Sequence, residues 1–445
     1  MKPNRPQDRK TEPHAIPSVA TETRVLNIEK PIYGGAFLAH DAGKAIFVPL
    51  TLPGEQARVR MVEDKRGYAS AEVEEILTAS PERVAPGCRH FGLCGGCQYQ
   101  HASYATQLEL KQAVLRETLE RGGVAAPAEL TVLAGEPWGY RNRIRLAFDA
   151  AGNPGYRGRR SHAVIPITEC PIAAPLLVDA ALAIAEVVRQ FANAPKPTEI
   201  ALFCNANETE LLASIFTSSA KKVRFDQFAQ AVAERVPPLT GAELFLEAHQ
   251  KSQPSRTIAQ WGASSLTYRA ASVDYRVDHG AFFQVNRWLV DSLVERVTAS
   301  RTGGLAWDLF AGVGLFARQL TTAFNRIVAV ESAPSAIPAL AANLKGTRGA
   351  PVRAATLDFL ARNQDGDRPD LIVVDPPRTG LGAEITALLA RIAAPAITYV
   401  SCDPATLSRD LRALLAAGYA VESLALADLF PQTFHLETVT RLIKS

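Results

Sequence analysis

Gly304-Leu-Ala-Trp-Asp308-Leu-Phe-Ala-Gly312-Val-Gly314, followed by the helix-spaced stretch Leu315 to Thr322, decides the fold of the carboxy-terminal half. An apolar run enters a glycine-containing turn and leaves as a helix, which lets a ligand approach the backbone at a helix start. About twenty residues on, Ile327-Val-Ala-Val330 ends in Glu331, placed to hold both hydroxyls of a ribose. Asp358 follows another strand-like stretch, and Leu371-Ile-Val-Val-Asp375-Pro376-Pro377-Arg378 closes a fourth strand in an acid. Acids at strand ends also cap the helices that follow, but three of them in register with a glycine loop favour a ligand. The lysine of a phosphate loop is missing, so a nucleoside without a triphosphate fits best. Residues 268–445 are therefore expected to form a Rossmann-like α/β domain.

Ser401-Cys402-Asp403-Pro404 is a polar turn straight after the β-branched, apolar run Ala396-Ile397-Thr398-Tyr399-Val400. Ligands of open α/β sheets bind outside the carboxyl ends of the strands, which places the Cys402 thiol for nucleophilic attack. A lone cysteine is more often a small buried apolar residue. The turn-forming neighbours and the acids favour chemistry here.

At 445 residues the chain exceeds what one core usually organises, and two or three domains are expected. Its 47% hydrophobic and 21% charged residues are ordinary for a globular protein, and no apolar run is long enough to span a bilayer. Residues 1–22 mix lysine and arginine with proline and lack the apolar core of a secretion signal, so a disordered basic arm is expected. Residues 23–78 alternate apolar and polar positions in short runs such as Lys44 to Val48 and Ala57 to Val62, broken by glycine and proline. That pattern reads as a small antiparallel β-barrel, either a single-strand binder or a structural module.

Residues 79–267 open on Cys88-Arg-His-Phe-Gly-Leu-Cys94-Gly-Gly-Cys97, with a fourth cysteine at Cys170. Six cysteines are too few for a disulfide scaffold, and their clustering points to metal in a reducing, cytoplasmic compartment. Four thiolates suit an iron-sulfur cluster or a closed zinc site; the unequal gaps and one remote ligand lean toward iron-sulfur. Cys204, in an apolar run, reads as core. Ser103 to Arg121 reads as a helix with a serine cap and a Gly122-Gly123 stop. Arg141, Arg143, Arg145, Arg157, Arg159 and Arg160 stand against one acid, Asp149, with Tyr140, Phe148 and Tyr156 among them. Alternation puts Arg141, Arg143 and Arg145 on one strand face, a positive surface suited to phosphates, with aromatics to stack on bases. Net charge of +3 says nothing by itself about nucleic acid.

Taken together, these residues resemble the S-adenosylmethionine-dependent RNA uracil-5-methyltransferases, in the cluster-containing branch acting on large-subunit (23S) ribosomal RNA. The resemblance runs over nearly the whole chain. It rests on the four cysteines, Phe282-Phe-Gln-Val-Asn286, the glycine loop, Asp375-Pro-Pro-Arg378, Ser401-Cys-Asp-Pro404 and Pro431-Gln-Thr-Phe-His-Leu-Glu437. It implies a multidomain α/β protein: a TRAM/OB-like barrel, a central α+β domain carrying a 4Fe-4S cluster on Cys88, Cys94, Cys97 and Cys170, and a class I methyltransferase domain. It further implies that Cys402 is the nucleophile and Glu437 the base. Gln284, Phe310, Gly312, Glu331, Asp358 and Asp375 would then line the S-adenosylmethionine site, while Phe282 and Asp375 meet the uracil. Leu315 departs from the asparagine that some members carry after the glycine loop, and Asp403 from a frequent asparagine. A monomer binding RNA, with no membrane, is expected. The other readings are a transfer-RNA uracil methyltransferase and, in another class, a non-catalytic RNA-binding or ribosome assembly factor. Retention of both Cys402 and Glu437 disfavours the non-catalytic one.

Overall fold

The computed structural model describes residues 22–219, 223–247 and 255–444. All but the last residue of the expected amino-terminal arm lies outside that range. The chain divides into two compact units, the first ending at Pro81 and the second running from Glu82 onward and taking in Tyr33–Gly35.

The first unit holds six strands, β1 (Thr23–Asn27), β2 (Lys30–Pro31), β3 (Ala36–Asp41), β4 (Lys44–Pro49), β5 (Gln56–Asp64) and β6 (Tyr68–Thr78), in one sheet of order β1-β5-β6-β4-β3-β2. Phe37, Ala39, Ile46, Ala57 and Val59 are buried while their sequence neighbours are not, the period-two signature of a curled sheet with one inner face. Register shifts between β5 and β6 bend the sheet. The pairing is not wholly antiparallel as expected, because β4 and β6 run parallel.

The second unit begins with the cysteine loop and α1 (Tyr104–Arg121). The Ser103 side chain caps α1 by accepting from the Thr106 amide, and Gly123, at φ +78°, takes the left-handed turn that ends it. Next come β7 (Thr131–Leu133), β8 (Arg143–Phe148), β9 (Pro154–Arg157), β10 (Val164–Pro166), α2 (Pro175–Gln190), β11 (Pro197–Cys204), β12 (Leu211–Thr217), α3 (Phe225–Arg235), β13 (Leu239–Leu246) and β14 (Arg256–Gly262). Seven of these strands form a sheet of order β10-β9-β8-β11-β12-β13-β14. One face carries Ile144, Leu146, Ile200, Leu202, Ala213, Ile215 and Leu244 against the apolar sides of α2 and α3, with buried Cys204 in the same core.

A hairpin, β15 (Ser265–Ala270) with β16 (Val273–Asp278), leads through α4 (Val290–Thr298) into the second sheet. Its elements are β17 (Gly303–Leu309), α5 (Leu315–Leu320), β18 (Phe324–Glu331), α6 (Ile337–Leu344), β19 (Gly349–Arg353), α7 (Thr356–Asn363), β20 (Leu371–Val374), α8 (Gly382–Ile392), β21 (Ala396–Ser401), α9 (Pro404–Ala416), β22 (Tyr419–Ala427) and β23 (Glu437–Lys444). The strand order is β19-β18-β17-β20-β21-β23-β22-β7. Buried on both faces, β20 and β21 are fully apolar or β-branched apart from Tyr399 and Ser401, as central strands between helix layers must be. The order reverses between β17 and β20, which opens a crevice at their carboxyl ends. One strand crosses the expected boundary at 267: β7 joins this sheet parallel to β22.

Candidate active site

Four strand ends, those of β17, β18, β20 and β21, and the start of β23 supply the residues of the crevice. β17 leaves through Phe310, whose φ of +63° is costly for a residue with a Cβ, and then Gly312 and Gly314 at φ +55° and +87°. A side chain at Gly314 would press on Leu340 at 2.8 Å, so the turn is shaped by packing as well as by φ. Asp308, wholly buried, accepts from the Ala317 amide at 2.7 Å and so ties α5 back to β17. Burial, with Asp375 and Glu331 nearby, pushes the Asp308 carboxyl up to about 8. Glu331 ends β18 and accepts from the Gly312 amide at 2.8 Å and from the Ser332 and Ala333 amides at 2.6 Å, which holds it at the glycine turn.

Phe282, Gln284, Phe310, Gly312 and Asp375 line one cavity together with Ala311, Val313 and Leu315. Asn142 fixes this wall from behind: its Nδ2 donates to the Gln284 carbonyl at 2.9 Å and to the Tyr268 hydroxyl at 3.0 Å. Gln284 Nε2 reaches Asp375 Oδ2 at 3.5 Å. Phe282 is 58% exposed, an aromatic face on which no ring stacks among the described residues. Asp358 is not among the lining residues; it sits exposed in the first turn of α7.

Cys402 and Glu437 come together through strand register. β21 and β23 are antiparallel with Ser401 opposite Thr438, so the residue leaving one strand faces the residue entering the other. Asp403 caps α9, accepting from the Ala405 and Thr406 amides at 3.0 Å, which fixes the turn that carries Cys402. Burial, then the Glu437 and Asp375 carboxylates, push the Cys402 thiol up to about 12, and Arg378 pulls the other way. Burial and Asp375 likewise hold the Glu437 carboxyl well above the usual range. Asp375 is raised by burial to about 7. Arg378 packs on His435, 3.2 Å from Nδ1, and burial with that cation drives the imidazole down to about 4. The result is a thiol and two unusually basic carboxyls facing one arginine.

The loop before Glu437 is heavily braced, which the sequence did not announce. Gln107 pairs with Gln432 twice, at 2.9 Å each, through the Gln432 amide and side chain. The amides of Gln98 and Tyr99, next to Cys97, both donate to the Gln432 carbonyl at 3.0 Å. Lys111, fully buried, is paired with Asp428 at 2.5 Å and with the Phe430 carbonyl at 2.9 Å. Only the amphipathic slot that Lys111 occupies in α1 hinted at this.

Cys88, Cys94, Cys97 and Cys170 surround a second, small cavity with His90, Arg141 and Tyr156 on its walls. A single zinc ion needs four sulfurs about 3.7 Å apart, from Zn–S bonds of about 2.3 Å. Among the described residues no three His, Cys, Asp or Glu side chains converge to suit one ion. The four thiols line this cavity together, a donor set whose chemistry suits a zinc ion or an iron-sulfur cluster alike. The Gly96 amide points at Cys94 Sγ at 3.3 Å, and a side chain at Gly95 would press on the Arg157 carbonyl at 3.1 Å.

The arginines divide. Arg143 and Arg145 share one face of β8, as expected, but Arg141 precedes the strand and lies against the cysteine cavity and the Phe430 ring. Glu199, on the neighbouring strand β11, pairs with Arg145 at 2.6 Å and Arg157 at 3.3 Å, so the positive surface is less lopsided than the local sequence implied. Arg157 ends β9 and Arg159 and Arg160 lie on the turn after it, hooked to the cysteine loop through Gly95 and Leu93.

The comparisons with known proteins bear on this geometry. The 23S rRNA (uracil(1939)-C(5))-methyltransferase RlmD of Halomonas elongata is 32% identical over 445 residues, covering 94% of this chain and 89% of the relative. The chain belongs to the RNA uracil-5-methyltransferase family. The protein of the same name from Klebsiella pneumoniae is 32% identical over 426 residues, covering 91% and 92%. The family model for tRNA (uracil-5-)-methyltransferases matches residues 366–445, the segment holding Asp375, Cys402 and Glu437. In fold, the Pyrococcus abyssi tRNA (uracil-54, C5)-methyltransferase, solved with S-adenosyl-L-homocysteine, superposes with a TM-score of 0.76 at 24% identity, over 94% of this chain and all of that one. This uracil-5-methyltransferase uses S-adenosylmethionine as methyl donor, and its described residues include no helix long and apolar enough to cross a membrane.

Proposed function

We propose that the protein makes 5-methyluridine in 23S ribosomal RNA, acting as a cytoplasmic monomer through a covalent bond between Cys402 and carbon 6 of the target uracil. The observation that carries this reading is the β21–β23 register, which sets the Cys402 thiol beside a basic carboxyl, with Asp375, a lining residue of the cofactor cavity, acting electrostatically on both. Carbon 5 of uracil is a poor nucleophile. Addition of the Cys402 sulfur at carbon 6 converts the ring to an enolate whose carbon 5 is nucleophilic, splitting one hard step into easier ones. S-adenosylmethionine, when bound, supplies the electrophilic methyl group.

With its thiol raised, Cys402 requires a proton acceptor at the moment of attack, and Asp375 is the carboxylate in place that leaves Glu437 unprotonated for the later step. After methylation the carbon 5 proton passes to Glu437, electrons return to the ring, and the carbon–sulfur bond breaks to release thiolate. A carboxyl of raised pKa is better matched to that task near neutrality than an ordinary glutamate. Arg378 favours negative charge on the Cys402 sulfur and on the Glu437 carboxylate. Phe282 offers a stacking face for a uracil swung out of its helix, and Gln284 with Asp375 can pair with the uracil edge. Glu331 and Asp358 are assigned to the ribose and adenine end of the cofactor.

Cys88, Cys94, Cys97 and Cys170 would hold a 4Fe-4S cluster, which would cross-link the loop at 88–97 to the connection between β10 and α2. The full-length relatives carrying a 23S name favour ribosomal over transfer RNA. Cys402→Ala tests the reading: methyl transfer to RNA is lost while S-adenosylmethionine still binds. Loss of cofactor binding instead reassigns the residue.

A further inference from the structure

The central sheet has two unlike faces. One is covered by α2 and α3; on the other, strand alternation gathers Arg143 and Arg145 of β8, Phe203 of β11, Phe216 of β12 and Phe245 of β13. Register explains the gathering: Arg143 stands opposite Phe203, and Phe216 opposite Phe245. The Phe216 and Phe245 rings stack at 5.1 Å, and the two guanidiniums lie over Phe203 and Phe216 at 4.3 and 4.7 Å. These groups line a cavity of about 520 Å³, closed at one end by His279 with its Nδ1 3.1 Å from the Ser214 hydroxyl. Nothing in the catalytic proposal uses it.

We propose that this cavity takes an unpaired nucleobase of the substrate RNA, one flanking the target uridine, stacked on Phe216 and Phe245 with its phosphates against Arg143 and Arg145. This rests on the RNA-methyltransferase reading and adds a second base site to it. Two observations select that occupant. An open sheet face bearing aromatics and arginines, backed by two helices, is the physical solution by which sheet platforms hold single-stranded RNA, because every base has a π-face and every linkage a negative charge. The cavity also backs onto the cofactor site through one short segment. His279 and Val285 face the base cavity, while Phe282 and Gln284 face the cofactor cavity. A strand whose target base is flipped onto Phe282 has a displaced neighbour that needs a new partner, and this cavity is across the segment. Polar His279, held neutral by burial at about 4, and Ser214 offer hydrogen bonds to a base edge, and Asp278, which pairs with Arg276, also lines the cavity.

The test uses the full-length protein and protein-free 23S ribosomal RNA made by transcription. Phe216→Ala and Phe245→Ala are expected to raise KM for the RNA roughly 5- to 100-fold, the range that loss of one base stack produces, with kcat within about two-fold and S-adenosylhomocysteine binding unchanged. Phe216→Trp should recover most of the loss. Ultraviolet cross-linking of the parent protein to the same RNA should place a linkage on the peptide containing Phe216 or Phe245. Unchanged KM in a folded variant, or cross-links confined to other peptides, overturns the proposal while leaving the methyltransferase reading intact. A parent protein that cross-links at Phe216 or Phe245 but methylates no uridine supports the cavity and sinks the catalytic reading instead.

Discussion

Glu437→Gln should move two properties of the site in opposite directions. Glu437 is the largest cause, after burial, of the raised Cys402 thiol, which stands at about 12. At pH 8 that leaves about one thiol in 10⁴ as thiolate. Glutamine keeps the shape and removes the charge. A neighbouring like charge typically contributes about one to two pKa units, so its removal should raise the thiolate fraction, and the rate of alkylation of Cys402 by iodoacetamide, by about 10- to 100-fold. Turnover should fall by about 10²- to 10⁴-fold, the usual contribution of a general base. The covalent protein–RNA species, formed but unable to lose its carbon 5 proton, should accumulate and survive a denaturing gel. A variant that is merely misfolded loses both adduct and turnover. Unchanged alkylation, or turnover at the parent rate, would refute the reasoning about this pair.

Further expectations rest on other contacts. Asp308 and Asp375 are raised to about 8 and about 7, and a cationic sulfonium favours their ionised forms, so binding should expel protons. Affinity for S-adenosylmethionine should therefore rise between pH 6 and pH 9, more than that for uncharged-sulfur S-adenosylhomocysteine; calorimetry giving equal or falling curves would contradict this. For stability the sign is opposite: a carboxyl raised in the folded state binds its proton more tightly there, so its contribution is full below about pH 4 and is lost as pH rises through about 8. Asp308→Asn should flatten the fall in thermal midpoint over that window, and an unchanged slope would assign it elsewhere. Lys111→Met leaves Asp428 buried without its cation and should cost about 3–5 kcal/mol, with Lys111→Met/Asp428→Leu recovering much of it in chemical denaturation. Equal losses in the single and double variants would show that the ion pair is not the cause. Anaerobic purification is expected to give a brown protein containing iron and sulfide, and zinc alone would contradict the cluster.

What could be read in the chain follows from the range of the forces involved. The glycine turn, the cap at Ser103 and the stop at Gly123 are local, fixed by φ and by hydrogen bonds over a few residues, and they stand where the sequence puts them. Cys402 and Glu437 were legible only as separate motifs; it is the β21–β23 register that makes them neighbours. The three-residue strand β7 has no period to detect and joins its sheet by pairing alone. Glu199 and Asp428 were invisible as partners because they lie far along the chain from Arg145 and Lys111. The aromatic face of the central sheet was likewise split among β11, β12 and β13, each of which reads as an ordinary apolar strand.

The central claim is the sulfur–carbon bond. Incubation of the parent protein with S-adenosylmethionine and 23S ribosomal RNA containing 5-fluorouridine should stall after methylation, since fluorine cannot leave carbon 5 as a proton does. Mass spectrometry of the digested complex is predicted to find the methylated fluorouracil nucleotide on the peptide containing Cys402. An intact Cys402 peptide in a sample that methylates ordinary RNA would contradict the account.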